Sequence, residues 1–169
     1  MRILLITIAV AMSGMVATAQ KLNIDTDAAE VAFEFVSDKA KGTVSGFKCE
    51  IEFDAKDIAN SKMSGTVDVS TLSTGNNDRD VHLKSADFFD AEKFPVIKFE
   101  STSFETGQKE TVMKGNLTIK DKTKPCSIKF TYNNGVFVGR TTIDASDYGV
   151  SPGKKDGTTN ITFKIPLAD

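Results

Sequence analysis

The residues of this 169-residue chain that could do chemistry are few, and several lie in one short stretch. Its single histidine, His82, follows Arg79 by three positions, and Asp78 and Asp80 flank that arginine. Histidine can exchange a proton near neutral pH, and arginine can clamp an anionic group with paired N–H donors. Two interpretations stay open for His82 and for Arg79. Either the side chain pairs with the nearby carboxylates and fixes the local structure, or it meets the polar end of a ligand.

The patterns for catalysis and for metal binding are incomplete. The segment GVSPG at positions 149–153 matches the G-x-S-x-G of a nucleophile elbow, but that elbow needs a helix directly after its serine. Pro152 and the Gly/Lys run behind it oppose a helix. One histidine and two isolated cysteines give too few ligands for a tetrahedral zinc site, and a glycine-rich phosphate loop is lacking. The sequence therefore predicts no enzyme, no metal site and no cofactor.

The two cysteines, Cys49 and Cys126, allow two states. An oxidising compartment would permit a disulfide between them. Both also fall on the apolar parity of their segments, where free cysteine is common as a small core residue. Buried thiols and a bridge therefore both remain possible interpretations.

The segment that holds Arg79 and His82, residues 73–100, interrupts an otherwise strand-like pattern. Residues 74–77, TGNN, form a turn cluster whose Asn can cap a following helix. Pro95 ends any helix before the strand pattern resumes. Between them the sequence predicts an apolar patch formed by Val81, Phe88, Phe89 and Phe94. We expect a mostly helical insert that plugs or covers one end of a sheet.

On both sides of this insert, apolar and polar residues alternate with the period of half-buried strands. Eight antiparallel strands with one apolar face can pack as a sandwich or close into a barrel, and closure removes exposed edges. We therefore predict an all-β, eight-stranded antiparallel barrel with the short helical insert between strands 3 and 4. Lys21–Asp27 is expected to be a lead-in, and 41–43 a turn. The predicted strands span residues 31–35, 47–53, 63–71, 96–104, 113–120, 126–132, 136–145 and 161–167.

The first 19 residues have the pattern of a cleavable signal peptide. Arg2 precedes an apolar run that ends in small residues, with Ala17-Thr18-Ala19 as an A-x-A site before Gln20. A single membrane anchor is the alternative, although the run is short and interrupted. Residues 20–169 then form one domain. The domain has 20 basic and 23 acidic residues, because Arg2 is removed from the 21 basic residues of the full chain. The two signs are interspersed, which disfavours nucleic acid as a partner.

The insert carries a recognisable motif: Arg79-Asp80-x-His82-Leu83-x-Ser85-x-Asp87-Phe88-Phe89-Asp90, followed by Phe94-Pro95. This block closely resembles the central signature of the YceI-like family, and the resemblance extends over essentially all of residues 20–169. It implies export to the periplasm or beyond, and a lipocalin-like eight-stranded barrel. It further implies that the apolar lumen binds an isoprenoid chain or another amphipathic lipid, with no enzymatic activity.

The expected ligand is an isoprenoid quinone, a polyisoprenoid or a fatty-acid-like lipid, bound by a monomer or homodimer without a membrane span after cleavage. The alternative is a barrel filled by its own side chains, which would act as a structural or stress-related interaction module without a ligand; counts of apolar residues do not separate the two. Arg79, His82, Phe88 and Phe89 are expected at the lumen mouth. The candidate lumen residues are Phe33, Phe35, Phe47, Phe53, Val67, Val69, Phe99, Leu117, Ile119, Ile128, Phe130 and Phe163.

Overall fold

The alternating segments form ten strands in the computed structural model, which describes residues 20–54, 56–150 and 156–168. One α-helix, α1 (Asn77–Lys84), lies between the fifth and sixth strands, and three short 3₁₀ turns cover Ile58–Asn60, Val69–Thr71 and Ala145–Tyr148. The strands are β1 (Gln20–Leu22), β2 (Glu30–Phe35), β3 (Ala40–Val44), β4 (Lys48–Phe53), β5 (Lys62–Asp68), β6 (Val96–Thr106), β7 (Thr111–Ile119), β8 (Lys122–Asn133), β9 (Val136–Asp144) and β10 (Thr158–Pro166).

The expected count of eight strands is wrong, because β1 and β3 are strands as well. β3 was predicted to be a turn on the strength of Lys41-Gly42-Thr43, yet it pairs with β2 in antiparallel register. Gly42 stands opposite Phe33 in that register. A Cβ atom built on Gly42 would lie 2.5 Å from Cζ of Phe33, so the glycine makes room for the ring and does not turn the chain.

All ten strands belong to one sheet, in the order β1-β4-β5-β6-β7-β8-β9-β10-β2-β3, and each described pairing is antiparallel. The sheet curls, but its edge strands β1 and β3 do not pair with each other. At one end, Ile24 forms an isolated bridge with Leu167. At the insert, Thr43 forms a second bridge with Ser73. The wall is thus a curled half-barrel joined by short contacts, and not a continuous ring of hydrogen-bonded strands.

The predicted insert is present, but its α-helix is only eight residues long. The side chain of Asn76 caps it by accepting a hydrogen bond from the backbone N–H of Arg79 at 3.0 Å. Phe88 and Phe89 are half-buried, as expected of an apolar patch. Val81 does not belong to that patch, because it faces solvent with 72% of its surface exposed.

The sequence left open the state of the cysteines and the role of the first 19 residues. Cys49 and Cys126 are both free thiols, so the interpretation as unbridged cysteines is the one that fits. The proposed signal, residues 1–19, lies outside the described residues. Within the described part of the chain, no helix has the length and apolar character needed to cross a bilayer.

Candidate functional site: an apolar cavity inside the sheet

The curled sheet encloses a cavity of about 410 Å³. This volume falls within the range of roughly 300–1,000 Å³ that is usual for small-molecule sites. The exposed residues of its described lining are Asp38, Arg79 and His82, so its mouth lies beside α1. Its wall is largely apolar: 20 of the 32 described lining residues are Phe, Ile, Leu or Val, and 21 of the 32 lie on β2, β3 and β5 through β10. Such a wall favours an apolar ligand, since each buried methylene contributes about 0.8 kcal/mol.

Phenylalanine rings lie against glycines on neighbouring strands, and this arrangement keeps the lumen open. Gly139 stands opposite Phe163 in the β9–β10 register, and a Cβ at Gly139 would approach Cε1 of that ring to 2.7 Å. Gly115 accommodates Phe99 in the same way, with Cζ of the ring 2.5 Å from a built Cβ. Because the glycines have no side chains, these rings line the wall instead of projecting across the lumen.

The end of the cavity away from α1 is closed by aromatic side chains. Along β8, Ile128 lines the cavity, but Phe130, two positions further on the same face, is buried beyond it. The Phe130 ring lies 6.0 Å from Phe104 and 5.9 Å from Phe137, measured between ring centroids. Tyr132 stacks on Phe137 at 4.3 Å. This aromatic cluster forms the floor of the cavity.

Three of the twelve candidate lumen residues do not line the cavity. Phe53 belongs to the floor cluster, with its ring 5.4 Å from Phe137, and Phe130 lies there too. Val69 sits in a 3₁₀ turn and packs in a second core cluster. Strand parity tells which face a residue occupies but not its height along the barrel. The nine that do line it are Phe33, Phe35, Phe47, Val67, Phe99, Leu117, Ile119, Ile128 and Phe163.

All four candidate mouth residues line the cavity, and for Arg79 the contacts differ from the ion pair that one of its two interpretations required. In the described part of the chain, no salt bridge joins it to Asp78 or Asp80. Its guanidinium group donates instead to Thr74, from Nε to Oγ1 at 2.8 Å and from Nη2 to the carbonyl oxygen at 3.2 Å. Adjacent positions on a helix do not face each other, which explains why the flanking carboxylates are not partners.

Asp80 fixes the loop that holds the arginine. This buried carboxylate accepts hydrogen bonds from the backbone N–H of Thr74 at 2.8 Å and from its hydroxyl group at 2.5 Å. The hydroxyl bond of Thr74 is the main reason that the pKa of Asp80 lies below its ordinary value. Thr74 is therefore held on one side by Asp80 and orients Arg79 on the other.

One interpretation of His82 paired it with Asp78 or Asp80, and neither pair is present among the described ion pairs. The nearest carboxylate to His82 is that of Asp87, with Nε2 and Oδ2 at 4.0 Å, and the side chains of both residues are largely exposed. The imidazole packs edge-on against Phe88, with ring centroids 4.7 Å apart. His82 thus orders the aromatic part of the mouth.

The cavity wall offers a poor nucleophile. Cys126 lines it, with Sγ 3.4 Å from Oγ1 of Thr141, and burial raises the pKa of its thiol. Burial likewise raises the pKa of Cys49 to about 12. Both thiols are therefore protonated at neutral pH, and the protonated form is unreactive. Ser151 of the G-x-S-x-G match lies outside the described residues.

Several residues that line the cavity were not predicted, some on assigned strands and some in the insert. Ile143 and Ile161 continue the apolar parity of β9 and β10 and could have been added on that basis. Thr74 and Leu83 lie in the insert, where period-two alternation gives no guide. Thr74 could have been identified as a cavity residue from its position in the turn directly ahead of the helix that holds Arg79.

Comparison with known proteins gives consistent matches. A family model described as "YceI-like domain" matches residues 22–167. A UPF0312 protein of Pseudomonas savastanoi pv. phaseolicola is 30% identical over 156 residues, which covers 86% of this chain and 78% of that protein.

Solved structures share the fold at lower identity. The crystal structure of Burkholderia cenocepacia BcnA aligns with a TM-score of 0.74 and 21% identity, covering 87% of this chain and all (100%) of that chain. A polyisoprenoid binding domain from Saccharophagus degradans, implicated in plant cell wall breakdown, aligns with a TM-score of 0.59 and 10% identity. That alignment covers 89% of this chain and 98% of the domain. At these identities the two structures show a common fold alone.

Proposed function

Because the chain belongs to the YceI-like family, whose members are binding proteins rather than enzymes, we propose that it holds an amphipathic lipid in the apolar cavity. The ligand is an isoprenoid quinone, a polyisoprenoid or a fatty-acid-like molecule, with its chain inside and its polar end at the mouth. The observation that carries the proposal is the open lumen of about 410 Å³ with its apolar wall. The polyisoprenoid-binding domain of Saccharophagus degradans, similar in fold, supports the same ligand class.

The physical basis is the transfer of a hydrocarbon chain from water into the cavity. Burial of about ten to fifteen methylene groups would contribute on the order of 10 kcal/mol. Loss of ligand freedom and ordering of side chains offset part of this gain. The alternative is a filled barrel that serves only as an interaction module, and it requires a lumen occupied by side chains. The contacts of Phe rings with glycines argue against it, because they keep the rings at the wall.

Native mass spectrometry of freshly purified protein, with and without organic extraction, tests whether a lipid co-purifies. Titration of the extracted protein with a fluorescent fatty acid and a quinone analogue then tests binding directly. Phe99→Asn places an amide against the ligand chain, which costs roughly 1–3 kcal/mol and weakens binding about tenfold. The matched control is Lys98→Asn, the preceding and exposed position on the same strand. Absence of saturable binding by the unaltered protein across several chain lengths would refute the proposal.

We propose further that the protein is exported and that its signal is removed between Ala19 and Gln20, which gives a periplasmic or secreted domain of residues 20–169. The A-x-A site behind an apolar run supports this assignment. Intact-mass measurement of the exported protein is expected to show a chain that begins at Gln20. Recovery of residues 1–19 on the protein in a membrane fraction would contradict it.

A further inference from the structure

The guanidinium group of Arg79 lies at the cavity mouth, and some of its N–H donors are not used by the hydrogen bonds to Thr74. Arginine has five N–H donors, and two of these are used by the Nε and Nη2 bonds to Thr74. Both bonds lie towards the Nε side of the group, so the terminal edge formed by Nη1 and Nη2 keeps its remaining N–H groups. In the described part of the chain, no ion pair occupies that edge.

This edge is held in place before any ligand arrives. Asp80 accepts two hydrogen bonds from Thr74, and Thr74 in turn holds Arg79 at two points. The carboxylate of Asp80 thus positions the loop through Thr74 and forms no direct ion pair with the guanidinium group of Arg79. A positioned guanidinium loses less entropy on binding than a mobile one, and its planar edge matches two oxygens of an anion.

Other charged groups at the mouth do not duplicate this site. Asp38, on the turn between β2 and β3, also lines the cavity, but it has an interaction of its own within the protein. Asp87 lies 4.0 Å from His82. Lys84 is in the last turn of α1 and does not line the cavity. Arg79 is therefore the cationic side chain that the cavity wall presents in its described part.

We propose that the preferred ligand carries an anionic head group, a carboxylate or a phosphate, which binds the terminal edge of Arg79 while the hydrocarbon chain fills the lumen. The inference rests on the proposed lipid-binding function and narrows it to acidic amphiphiles over neutral ones. Charge-assisted, bidentate contacts of this kind are stronger than neutral hydrogen bonds. Because the mouth is solvent-exposed, we expect a preference of about tenfold, equivalent to about 1.4 kcal/mol.

The test compares ligands matched in chain and different in head group. Palmitate is paired with hexadecanol, and farnesyl phosphate with farnesol, in titrations of the extracted protein at low and high salt. The expected result is tighter binding of the acid or the phosphate by about tenfold at low salt, with a preference that shrinks as salt screens the charge. The pair that shows the larger preference identifies carboxylate or phosphate as the source of the anionic oxygens.

Three variants locate the effect. Arg79→Gln is expected to remove the preference while the neutral ligands bind as before. Arg79→Lys keeps a point charge without the planar edge and should retain only part of it. Lys84→Gln removes a positive charge from the same helix and should leave the preference intact.

The possible failures are distinguishable. If acidic and neutral ligands bind the unaltered protein equally, or if Lys84→Gln lowers the preference as much as Arg79→Gln does, the head-group inference is overturned while lipid binding stands. If none of the four ligands binds, the proposed function itself fails. The salt dependence is measured on the unaltered protein, so the inference stays testable even where Arg79→Gln does not fold.

Discussion

Replacement of Gly139 by alanine should close part of the lumen, because this glycine leaves room for a single aromatic ring. A Cβ at Gly139 would lie 2.7 and 2.8 Å from Cε1 and Cε2 of Phe163, and closer still to Cζ. Carbon atoms in van der Waals contact are about 3.5 Å apart or more, so the ring must move by at least about 0.8 Å. The wall lies behind the ring, and the ring therefore moves into the cavity.

Gly139→Ala should have separate effects on the free energy of unfolding and on ligand affinity. Overpacking of this kind costs about 1–3 kcal/mol, and alanine in place of glycine within a strand returns roughly 0.5–1 kcal/mol. We expect Gly139→Ala to lower the free energy of unfolding by about 1–2 kcal/mol, so the protein stays folded. If the displaced ring excludes about two methylene groups of the ligand, the loss is about 1.6 kcal/mol, or roughly tenfold in affinity.

The assay is a titration with a fluorescent fatty acid, accompanied by a thermal melt, on Gly139→Ala, Phe163→Leu and the double variant. A smaller side chain at position 163 should relieve the clash, so the double variant should bind better than Gly139→Ala alone. Val138→Ala is the control, since this neighbouring position on the same strand is exposed and does not line the cavity. Binding by folded Gly139→Ala with unaltered affinity would refute the reasoning, because the ring would then not need to enter the lumen.

Three further perturbations have expected outcomes. Phe130→Ala should lower the free energy of unfolding by about 3–5 kcal/mol in a denaturant titration, because this ring is 2% exposed in the cavity floor; a change below 1 kcal/mol would place the ring outside the core. Burial raises the pKa of Cys49 from 9.0 to about 12, so between those pH values the thiol ionises in the unfolded chain alone. Stability should therefore fall with rising pH by up to about 1.4 kcal/mol per unit; Cys49→Ala should reduce that slope, and an equal slope in both proteins would contradict this account. Asp80→Asn should lower the melting temperature at neutral pH, and the difference from the unaltered protein should vanish as pH falls through the lowered pKa of Asp80, because the stabilising form is the carboxylate. A difference that persists in acid would show that the charge on Asp80 is not what stabilises the loop around Thr74.

The strands were predictable where one face is apolar over several residues. Ile128 and Phe163, for example, belong to segments whose alternation is clear from the sequence. β3 was not predicted as a strand, because a glycine between Lys41 and Thr43 is typical of a turn. The function of Gly42 depends on Phe33 across the strand pair, and such a cross-strand contact is not visible in a local window.

The site was predictable in its general location and not in its detailed contacts. The mouth residues were found because the insert interrupts the strand pattern. The partner of Arg79 was not found, because the flanking aspartates suggested an ion pair while the actual acceptor is Thr74. Phe53 was assigned to the lumen by its parity, although it belongs to the aromatic floor cluster and does not line the cavity. Whether the lumen is hollow depended on where glycines face rings, a property of the register between strands.

The bridge between Thr43 and Ser73 ties the edge strand β3 to the residues ahead of α1 at the cavity mouth. The backbone N–H of each residue donates to the carbonyl oxygen of the other, at 2.9 and 3.0 Å. The N–H of Ser45 also donates to Oγ1 of Thr71 at 2.8 Å. Any motion that widens the mouth by shifting the residues ahead of α1 breaks these bonds and uncovers the edge of β3. An uncovered edge strand is a template for pairing with another chain. If a ligand leaves by this route, its release and self-association of the protein would begin with the same opening step.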